Sequence, residues 1–501
     1  MKALRALIEG LSYGLIRGGL TVKVRGVAYD SRVVERGDLF VCLRGSRFDG
    51  HAFVTEAYQR GARCFVVERE PTEVDQLTEV TVVRVPETRA VIPTIADRFY
   101  GHPSGELTLV GVTGTNGKTT TTYLIEAVLR EGGELVGLVG TIAYRCGDQV
   151  RPADRTTPEA LDLQRLLREM RDAGATGAVL EVSSHALALG RVEGCEFDVA
   201  VFTNLTQDHL DFHGDLEGYF QAKARLFTGL AGPRTKARAP VAVLNQDDPT
   251  VERFQSVVRG RVLTYGTGST AMVRAEAAAV SAAGIRARVV TPSGPFEIVS
   301  DLVGRHNLSN LLAAAATGIA LEIPPDRIAA GLARGEPVPG RFERIKAGQP
   351  FTVVVDYAHT PDALGRVLQT ARELTQGQLV VVVGCGGDRD RGKRPLMGEV
   401  AARLADLAVL TSDNPRSEDP EQILAQTAAG ARQTGRPTVC LVDRREAIHE
   451  ALRRAGPGDL VLIAGKGHEQ YQIIGDQAFP FDDREVARAA LAQLGYRADC
   501  L

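Results

Sequence analysis

The sequence has little of what marks a membrane, secreted or nucleic-acid-binding protein. Its 501 residues carry a net charge of −3, so no global positive field would attract nucleic acid or an anionic membrane. The most apolar stretch, LLAAAATGIALEI from residue 311, has about 13 residues, whereas a membrane span needs roughly 20. The first residues, MKALRALIEGLSYGL, lack the apolar segment and cleavage site of a signal peptide.

Cysteine is sparse and shows no pairing pattern. The seven cysteines are odd in number and never stand in C-x-x-C spacing: Cys42, Cys64, Cys146, Cys195, Cys385, Cys440 and Cys500. This pattern predicts reduced thiols, and it favours neither a disulfide framework nor a zinc site. We therefore expect a cytoplasmic protein without membrane or nucleic-acid partners, and a monomer as the default state.

The length and the alternation of elements predict three α/β domains. At roughly 150 residues per domain, 501 residues suggest about three. Short apolar runs alternate with helical stretches throughout, and this order is interrupted by GHPSGE at 101–106 and RGEPVPGR at 334–341. We predict a small N-terminal α/β domain (1–103), a central P-loop ATPase-like domain with a mostly parallel sheet (104–336) and a Rossmann-like C-terminal domain (337–501).

The stretch GVTGTNGKTTT, residues 111–121, resembles a phosphate-binding loop with one irregularity. The usual pattern G-x-x-x-x-G-K-[ST] would place glycine at position 112, which is Val112. A buried-looking strand, LTLVGV, precedes the loop and a helical pattern follows it. In this context Lys118 can reach the outer phosphates of a nucleotide, and the Thr119 hydroxyl can bind magnesium. The sequence therefore predicts a nucleotide site.

Further polar residues follow other predicted strands of the central domain. Glu181, in VLEVSSH, ends a strand at the edge where open parallel sheets bind ligands, and a carboxylate there can hold magnesium. His209 and His213 are four residues apart, but Leu210 breaks the H-E-x-x-H zinc pattern, which favours packing or hydrogen bonding. Lys223 lies on an amphipathic helix, and its sequence pattern does not distinguish a functional lysine from a solvated one.

Two amides and a group of loops complete the candidate sites. Asn307 and Asn310 are one helical turn apart, which suits an adenine edge or a contact between helices. In the last domain four polar loops each follow a strand: DYAHTPDAL, GCGGDRDRGKR, SDNPRSEDP and AGKGHEQYQ. Such a rim favours a substrate mouth over four unrelated turns. It combines acidic with basic side chains, a mixture that fits a zwitterion: Asp413, Glu469, Arg389, Arg391, Lys393, Arg394 and Arg416.

These motifs, taken in order, resemble the Mur ligase family along the whole chain. The matching segments include DSRVVERGDLFVCLRG, GVTGTNGKTTT, RTTPE, EVSSHAL, TNLTQDHLDFH, YFQAKARLF, HNLSN, PGRFE, DNPR and GKGHE. The resemblance implies a cytoplasmic ATP-dependent ligase of peptidoglycan precursor synthesis. It would add the third amino acid to UDP-N-acetylmuramoyl-L-alanyl-D-glutamate. Because the family reads its loop as G-T-x-G-K-[ST], Val112 is no longer an irregularity.

The resemblance also implies roles for individual residues. Catalytic roles fall on Lys118, Glu181, His209 and Lys223. Magnesium ligands would be Thr119, Glu181, His209 and Lys223, the last as a carbamate formed with carbon dioxide. ATP contacts would be Gly114, Thr115, Asn116, Gly117, Lys118, Thr119, Thr120, Asn307, Asn310, Arg341 and Asp356. UDP-muramoyl-dipeptide contacts would be Ser31, Ser46, Arg47, Phe48, Thr156, Thr157, Ser183, Arg191 and Lys223.

The DNPR motif is the version that the family associates with meso-diaminopimelate. The implied amino-acid contacts are Arg389, Asp413, Asn414, Pro415, Arg416, Gly465 and Glu469. Arg416 and Arg389 would bind the carboxylate that lysine lacks. Leu189 departs from the family pattern, since relatives often carry glutamine there. Phosphate contacts on both the central and last domains imply hinge closure near Pro337–Arg341.

Several alternatives stay open at this point. The same fold could serve a lysine-adding ligase, a tetra/pentapeptide-forming ligase or a folylpolyglutamate synthase. A different class would be a non-catalytic protein whose binding is gated by ATP. DNPR and the first-domain motif argue against the first group. The joint presence of Glu181, His209 and Lys223 argues against the second.

Overall fold

The computed structural model describes residues 1–45, 48–71, 77–281, 283–335 and 338–496. The chain packs as two compact units. The first comprises Met1–Ala277, Arg288–Glu297 and Ser309–Arg334, and the second comprises Ala278–Ala287, Ile298–Leu308 and Gly335–Leu501. The predicted boundaries at 103/104 and 336/337 remain predictions. No helix among the described residues is long and apolar enough to cross a membrane.

The amino-terminal segment of the first unit forms a small sheet in the order β2-β7-β6-β5-β4. Strands β4 to β7 are parallel and β2 is antiparallel to β7. Residues of β5 alternate between two cores, because Leu39 and Val41 face one cluster and Phe40 faces the other. The elements are β1 (Lys2–Ala3), α1 (Leu4–Ile8), β2 (Gly14–Arg17), β3 (Lys23–Val24), β4 (Val27–Ala28), β5 (Leu39–Val41), α2 (Val54–Arg60), β6 (Cys64–Val67), β7 (Thr81–Arg84) and α3 (Thr88–Tyr100).

The central segment carries a larger sheet, ordered β11-β10-β9-β12-β8-β13-β14-β15. Strands β9, β12, β8, β13, β14 and β15 are parallel, with the β10–β11 hairpin at one edge. The elements are β8 (Thr108–Thr113), α4 (Lys118–Glu131), β9 (Val136–Val139), β10 (Ala143–Cys146), β11 (Gln149–Pro152), α5 (Ala160–Asp172), β12 (Gly177–Glu181), α6 (Ser184–Ala188), β13 (Val199–Phe202), α7 (Leu210–His213), α8 (Leu216–Thr228), β14 (Val241–Asn245), α9 (Val251–Val257), β15 (Arg261–Gly266), β16 (Val273–Ser281), β17 (Gly284–Val290), β18 (Phe296–Ser300), α10 (Arg305–Ala320) and α11 (Pro325–Arg334).

The order of these strands determines where polar side chains meet. Strand β8 lies between β12 and β13, with Val112 opposite Glu181 and Thr113 opposite Phe202. The three strands are parallel, so their carboxyl ends share one edge. The loops that begin there are the glycine loop, the Glu181 loop and the TNLTQDH loop. Residues distant in sequence are thereby brought to one site.

The last segment forms a second doubly wound sheet, ordered β19-β20-β24-β21-β22-β23. All its strands are parallel except β19, and apolar clusters cover both faces. The elements are β19 (Glu343–Ile345), β20 (Thr352–Asp356), α12 (Pro361–Leu374), β21 (Leu379–Cys385), α13 (Lys393–Leu404), β22 (Leu407–Ser412), α14 (Pro420–Arg432), β23 (Thr438–Cys440), α15 (Arg444–Arg454), β24 (Leu460–Ala464), β25 (Tyr471–Ile474), β26 (Gln477–Pro480) and α16 (Asp483–Gln493). The predicted α/β fold class is confirmed.

Candidate active site

The glycine loop between β8 and α4 can be built only with glycine at two positions. Gly114 has φ +149°, and a Cβ there would lie 1.8 Å from the Thr203 hydroxyl. Gly117 has φ +86°, and its Cβ would lie 2.5 Å from Asn310 Oδ1. Residue 112 belongs to the buried strand β8, where valine packs well. The loop therefore needs Gly114 and does not need a glycine at position 112.

Other loop residues are fixed by the neighbouring TNLTQDH loop. The Thr115 amide donates to the Asn204 carbonyl at 2.8 Å, and the Asn116 amide donates to Asn204 Oδ1 at 2.9 Å. Lys118 Nζ folds back over the loop and donates to the carbonyls of Gly114 and Thr115, at 3.0 and 2.9 Å. Thr120 is buried at the start of α4. These hydrogen bonds fix the conformation of the loop around the first turn of α4.

Glu181 lies at the carboxyl end of β12 and is completely buried. Its carboxylate accepts hydrogen bonds from the Thr119 hydroxyl at 3.0 Å, the Thr141 hydroxyl at 3.1 Å and the Thr141 amide at 2.9 Å. These partners are neutral. A buried carboxylate is costly unless a cation compensates it. Glu181 and Thr119 thus place three side-chain oxygens close together beside the glycine loop, and their role as metal ligands stays a prediction.

Lys223 is 1% exposed on α8, so the reading as a solvated lysine is wrong. Its Nζ donates to the Gly114 carbonyl at 2.7 Å and lies 4.4 Å from the centre of the Tyr219 ring. Lys118 donates to the same carbonyl, so two ammonium groups converge on one acceptor. Burial, and then the charge of Lys118, hold the pKa of Lys223 well below its ordinary value.

His209 stands in the left-handed region, φ 54°, directly before α7. Its Nε2 lies 3.4 Å from an Asp208 carboxylate oxygen, and its ring is 4.7 Å from that of His185. Burial lowers its pKa, with Lys118 and Lys223 acting in the same direction against Asp208. The structure thus places His209 near both lysines, and a neutral imidazole is the form that ligates metals.

The residues implied for the muramoyl dipeptide lie beside Glu181. The Thr156 hydroxyl is 3.1 Å from that of Thr141, which itself contacts Glu181. The Thr157 hydroxyl donates to the Glu181 carbonyl at 2.8 Å and accepts from the Ser183 amide at 3.1 Å. Arg191 Nη1 donates to the Thr157 carbonyl at 3.1 Å. The predicted dipeptide contacts are therefore one connected group.

The residues implied for the uridine end are described only in part. The Ser31 hydroxyl is buried and donates to Glu56 at 2.9 Å. Phe48 is 71% exposed, which leaves its ring open to a ligand. Ser46 and Arg47 lie outside the described residues. The role of this group stays a prediction.

The remaining nucleotide candidates divide between the two units. Asn310 faces the loop and accepts from the Thr121 hydroxyl at 3.3 Å, whereas Asn307 donates to the Val303 carbonyl at 2.9 Å. In the second unit Asp356 accepts from the Phe342 amide at 2.7 Å. The Arg341 guanidinium stacks 4.7 Å from the Tyr357 ring centre. Their joint contact with one nucleotide stays a prediction.

The predicted amino-acid contacts form a rim in the second unit. Arg416, at φ 52°, donates to the Gly387 carbonyl at 2.8 Å, and Pro415 is buried beside it. Gly465 has φ +118°, and a Cβ there would lie 2.9 Å from Asp413 Oδ2. Arg389 is exposed in the GCGGDR loop. These residues lie on the loops that follow β21, β22 and β24, and their joint contact with an amino acid stays a prediction.

Lys466 is a member of this rim that the sequence reasoning missed. It is completely buried, and its Nζ donates to Asn414 Oδ1 at 3.1 Å and to Glu469 Oε2 at 3.0 Å. Asn414 Nδ2 donates to the same Glu469 oxygen at 3.0 Å. Glu469 is thus already paired on one oxygen. The sequence AGKGHE does indicate this role, because it places a lysine between two glycines at the end of a strand.

A buried ion pair behind the rim was also missed. Arg444 donates to Asp483 at 2.7 and 2.8 Å, and also to the carbonyls of Ser412 and Ala464. Both side chains are fully buried. Arg444 therefore joins the ends of β22 and β24, the strands from which the DNPR and GKGHE loops begin. Its position inside a helical pattern gave no sign of this role.

The described residues contain no cluster of three or more His, Cys, Asp or Glu side chains that could hold a metal unaided. The donors at the glycine loop are instead the Thr119 hydroxyl and the Glu181 carboxylate, 3.0 Å apart. Magnesium prefers oxygen ligands and usually completes its shell with water and phosphate oxygens. This carboxylate is buried and its hydrogen-bond donors are neutral, which fits such an ion.

The protein combines a phosphate loop, a buried carboxylate beside it and a rim of charged loops that fits a zwitterion. On α/β sheets these features are typical of an ATP-dependent ligase. Three family models match the chain in succession: the Mur ligase family catalytic domain over residues 23–100, the Mur ligase middle domain over 112–318 and the Mur ligase glutamate ligase domain over 340–467.

Individual relatives agree with these models. A UDP-N-acetylmuramoyl-L-alanyl-D-glutamate–2,6-diaminopimelate ligase of Geobacillus kaustophilus is 49% identical over 99% of this chain and 100% of its own. The ligase of the same description from Geobacillus thermodenitrificans is 49% identical over 98% and 99%. A solved structure of such a ligase superposes with TM-score 0.71 at 34% identity, covering 99% of both chains. The chain belongs to the Mur ligase family.

Proposed function

We propose that this protein is the ligase that joins meso-diaminopimelate to UDP-N-acetylmuramoyl-L-alanyl-D-glutamate. The amide would form at the D-glutamate side-chain carboxylate, with ADP and phosphate released. The observation that carries the proposal is the glycine loop with Lys118, Glu181 and Lys223 around it, in a chain that also carries the DNPR rim. Relatives with the same description match it end to end.

The first step would transfer the γ-phosphoryl group of ATP to the substrate carboxylate. Lys118 begins α4 beside the bent loop, so it can turn from the loop carbonyls to the outer phosphates. A magnesium ion held by Thr119 and Glu181 would offset the negative charge of the phosphates. The acyl phosphate is then attacked by the amine of diaminopimelate, and the tetrahedral intermediate collapses with loss of phosphate.

We propose that Lys223 works as a carbamate. Only a neutral amine attacks carbon dioxide, and burial beside Lys118 lowers the pKa of Lys223, which favours the neutral form. Carbon dioxide adds to the neutral amine, which forms an N–C bond and releases a proton, so Lys223 becomes an anion instead of a second cation beside Lys118. The anion would lie beside Lys118 and near His209, where a second magnesium ion could be held.

The amine selectivity would come from the charges of the rim. The far end of diaminopimelate carries a carboxylate and an ammonium group, whereas lysine has only the ammonium group. Arg416 and Arg389 would bind the carboxylate, and Asp413 with Glu469 the ammonium group. Lysine would leave these guanidinium groups without a partner, which can cost several orders of magnitude in kcat/KM.

The alternative of a non-catalytic ATP-gated binding protein makes a different prediction. A ligase releases phosphate only when dipeptide substrate, ATP and amine are all present. A binding protein releases none, or releases it at a rate that does not depend on the amine. Phosphate release should therefore be measured with each component left out in turn. Amine-independent release would overturn the proposed function.

A further inference from the structure

Glu159 sits at the junction between the dipeptide group and the first domain. It immediately precedes α5, in the position of a helix N-cap, but its side chain makes no capping hydrogen bond. The carboxylate instead forms an ion pair with Arg191 at 2.8 Å and accepts hydrogen bonds from Arg155 at 2.9 Å and Arg89 at 3.1 Å. The Glu159 side chain is only 12% exposed. The Glu159 side chain therefore does not cap the helix, and its pairing with three arginines indicates a different role.

Through Arg191, Glu159 is connected to the residues around Glu181. Arg191 reaches from Glu159 to the Thr157 carbonyl, and the Thr157 hydroxyl bonds to the Glu181 carbonyl. The Arg191 Nε atom is buried and has no acceptor among the described residues. Burial lowers the pKa of Arg191, and Glu159 opposes that effect. Glu159 thus orients this guanidinium and offsets part of the cost of burying its charge.

Through Arg89, Glu159 is connected to the segment that carries the residues implied for the uridine end. Arg89 lies on α3, and its Nη2 donates to the Arg44 carbonyl at 3.3 Å, close in sequence to the residues implied for the uridine end. Three arginines around one carboxylate leave an excess of two positive charges. The substrate is an anion at both its diphosphate and its dipeptide. The cluster is therefore one that an anionic ligand would complete.

We propose that Glu159 is a positioning residue, which holds Arg191 for the dipeptide carboxylates and braces it against the first domain through Arg89. The inference rests on the proposed function, because Arg191 contacts the dipeptide only in that account. Glu159 itself touches no reacting atom. Its removal should weaken substrate binding while leaving ATP and amine recognition intact.

The test compares Glu159→Gln with Glu169→Gln and the unmodified enzyme. Glu169 is a matched control, since it lies on the same helix and pairs with Arg151 on the exposed surface. Calorimetry should show Kd for UDP-N-acetylmuramoyl-L-alanyl-D-glutamate rising about tenfold or more in Glu159→Gln, and less than twofold in the control. KM for ATP and diaminopimelate should stay within about twofold. An unchanged Kd, or a rise in both KM values that equals the rise in Kd, would overturn the inference.

Two additions keep the outcome unambiguous. Arg89→Gln changes a side chain at the domain junction and should raise the same Kd by a smaller factor. This variant covers the case in which Glu159→Gln does not fold.

In the double variant with Arg191→Ala, loss of Glu159 should raise Kd by less than a further twofold, because its effect passes through Arg191. Full additivity would contradict a positioning role. Binding without turnover in the unmodified enzyme would instead overturn the proposed function.

Discussion

At Lys223, burial and a neighbouring cation act on the ammonium group in the same direction. Both lower its pKa, so the neutral amine is accessible at a pH where an exposed lysine is charged. This lysine cannot be solvated, because it donates to the Gly114 carbonyl beneath the loop. The sequence placed Lys223 on an amphipathic helix but could not reveal that carbonyl, which is 109 residues away.

Replacing this lysine gives a first prediction. Lys223→Ala should lower kcat by about 100-fold or more, because an anionic group beside the phosphates is lost. Added acetate or formate should restore part of the rate by filling the space with a carboxylate. The same salts should leave the unmodified enzyme unchanged. Full activity of the variant without any rescue would refute the carbamate.

Lys466 gives a second prediction at this scale. Its ammonium group pairs with Glu469 and fixes the amide of Asn414. Lys466→Met keeps the length of the side chain but leaves Glu469 uncompensated. We expect KM for diaminopimelate to rise about tenfold or more, with KM for ATP within about twofold. A similar rise in the KM of every substrate would indicate general loss of structure instead.

Among the elements, α13 and the loop before α14 are joined by a buried arginine. Arg394, fully buried, donates to Glu418 at 2.8 and 3.0 Å. This hydrogen bonding lowers the pKa of Glu418 from 4.5 to about 2. The charged form is thus favoured by folding. The resulting stability is fully present above pH 4.5 and is lost as the pH falls towards 2.

Glu418→Gln should therefore be less stable than the unmodified protein near neutral pH, and the difference should shrink in acid. Thermal unfolding of both proteins from pH 7 to pH 3 measures this directly. Glu399→Gln is the control, because its partner Arg403 is exposed and surface pairs contribute little. A Tm difference that grows as the pH falls would contradict the assigned direction.

The elements themselves were largely predictable from the sequence. Short apolar runs between glycine-rich loops marked β8, β12, β13 and β14, because parallel strands covered on both faces are apolar throughout. The contacts of Glu159 and Arg444 were not predictable, since they include partners on other elements. Arg89 is 70 residues from Glu159, and Asp483 is 39 from Arg444. Periodicity reports on a segment's own faces and not on its distant neighbours.

For the whole molecule, the parallel order of strands explains how motifs that are distant in sequence come together within each unit. The edge formed by β8, β12 and β13 gathers the glycine loop, Glu181 and His209. The carboxyl ends of β21, β22 and β24 gather the rim loops in the same way. The three-domain fold class followed from the length and the alternation of elements, and the family followed from motif order. Domain boundaries and closure near Pro337–Arg341 stay predictions, and Pro337 lies outside the described residues.

The most direct test of the proposed ligase is its choice of amine. Purified protein should be supplied with UDP-N-acetylmuramoyl-L-alanyl-D-glutamate, ATP and magnesium, and kcat/KM measured for meso-diaminopimelate and for L-lysine. We predict a preference for diaminopimelate of about 1,000-fold or more, since lysine leaves the guanidinium groups of Arg416 and Arg389 without a carboxylate partner. Equal values, or a preference for lysine, would contradict the assignment.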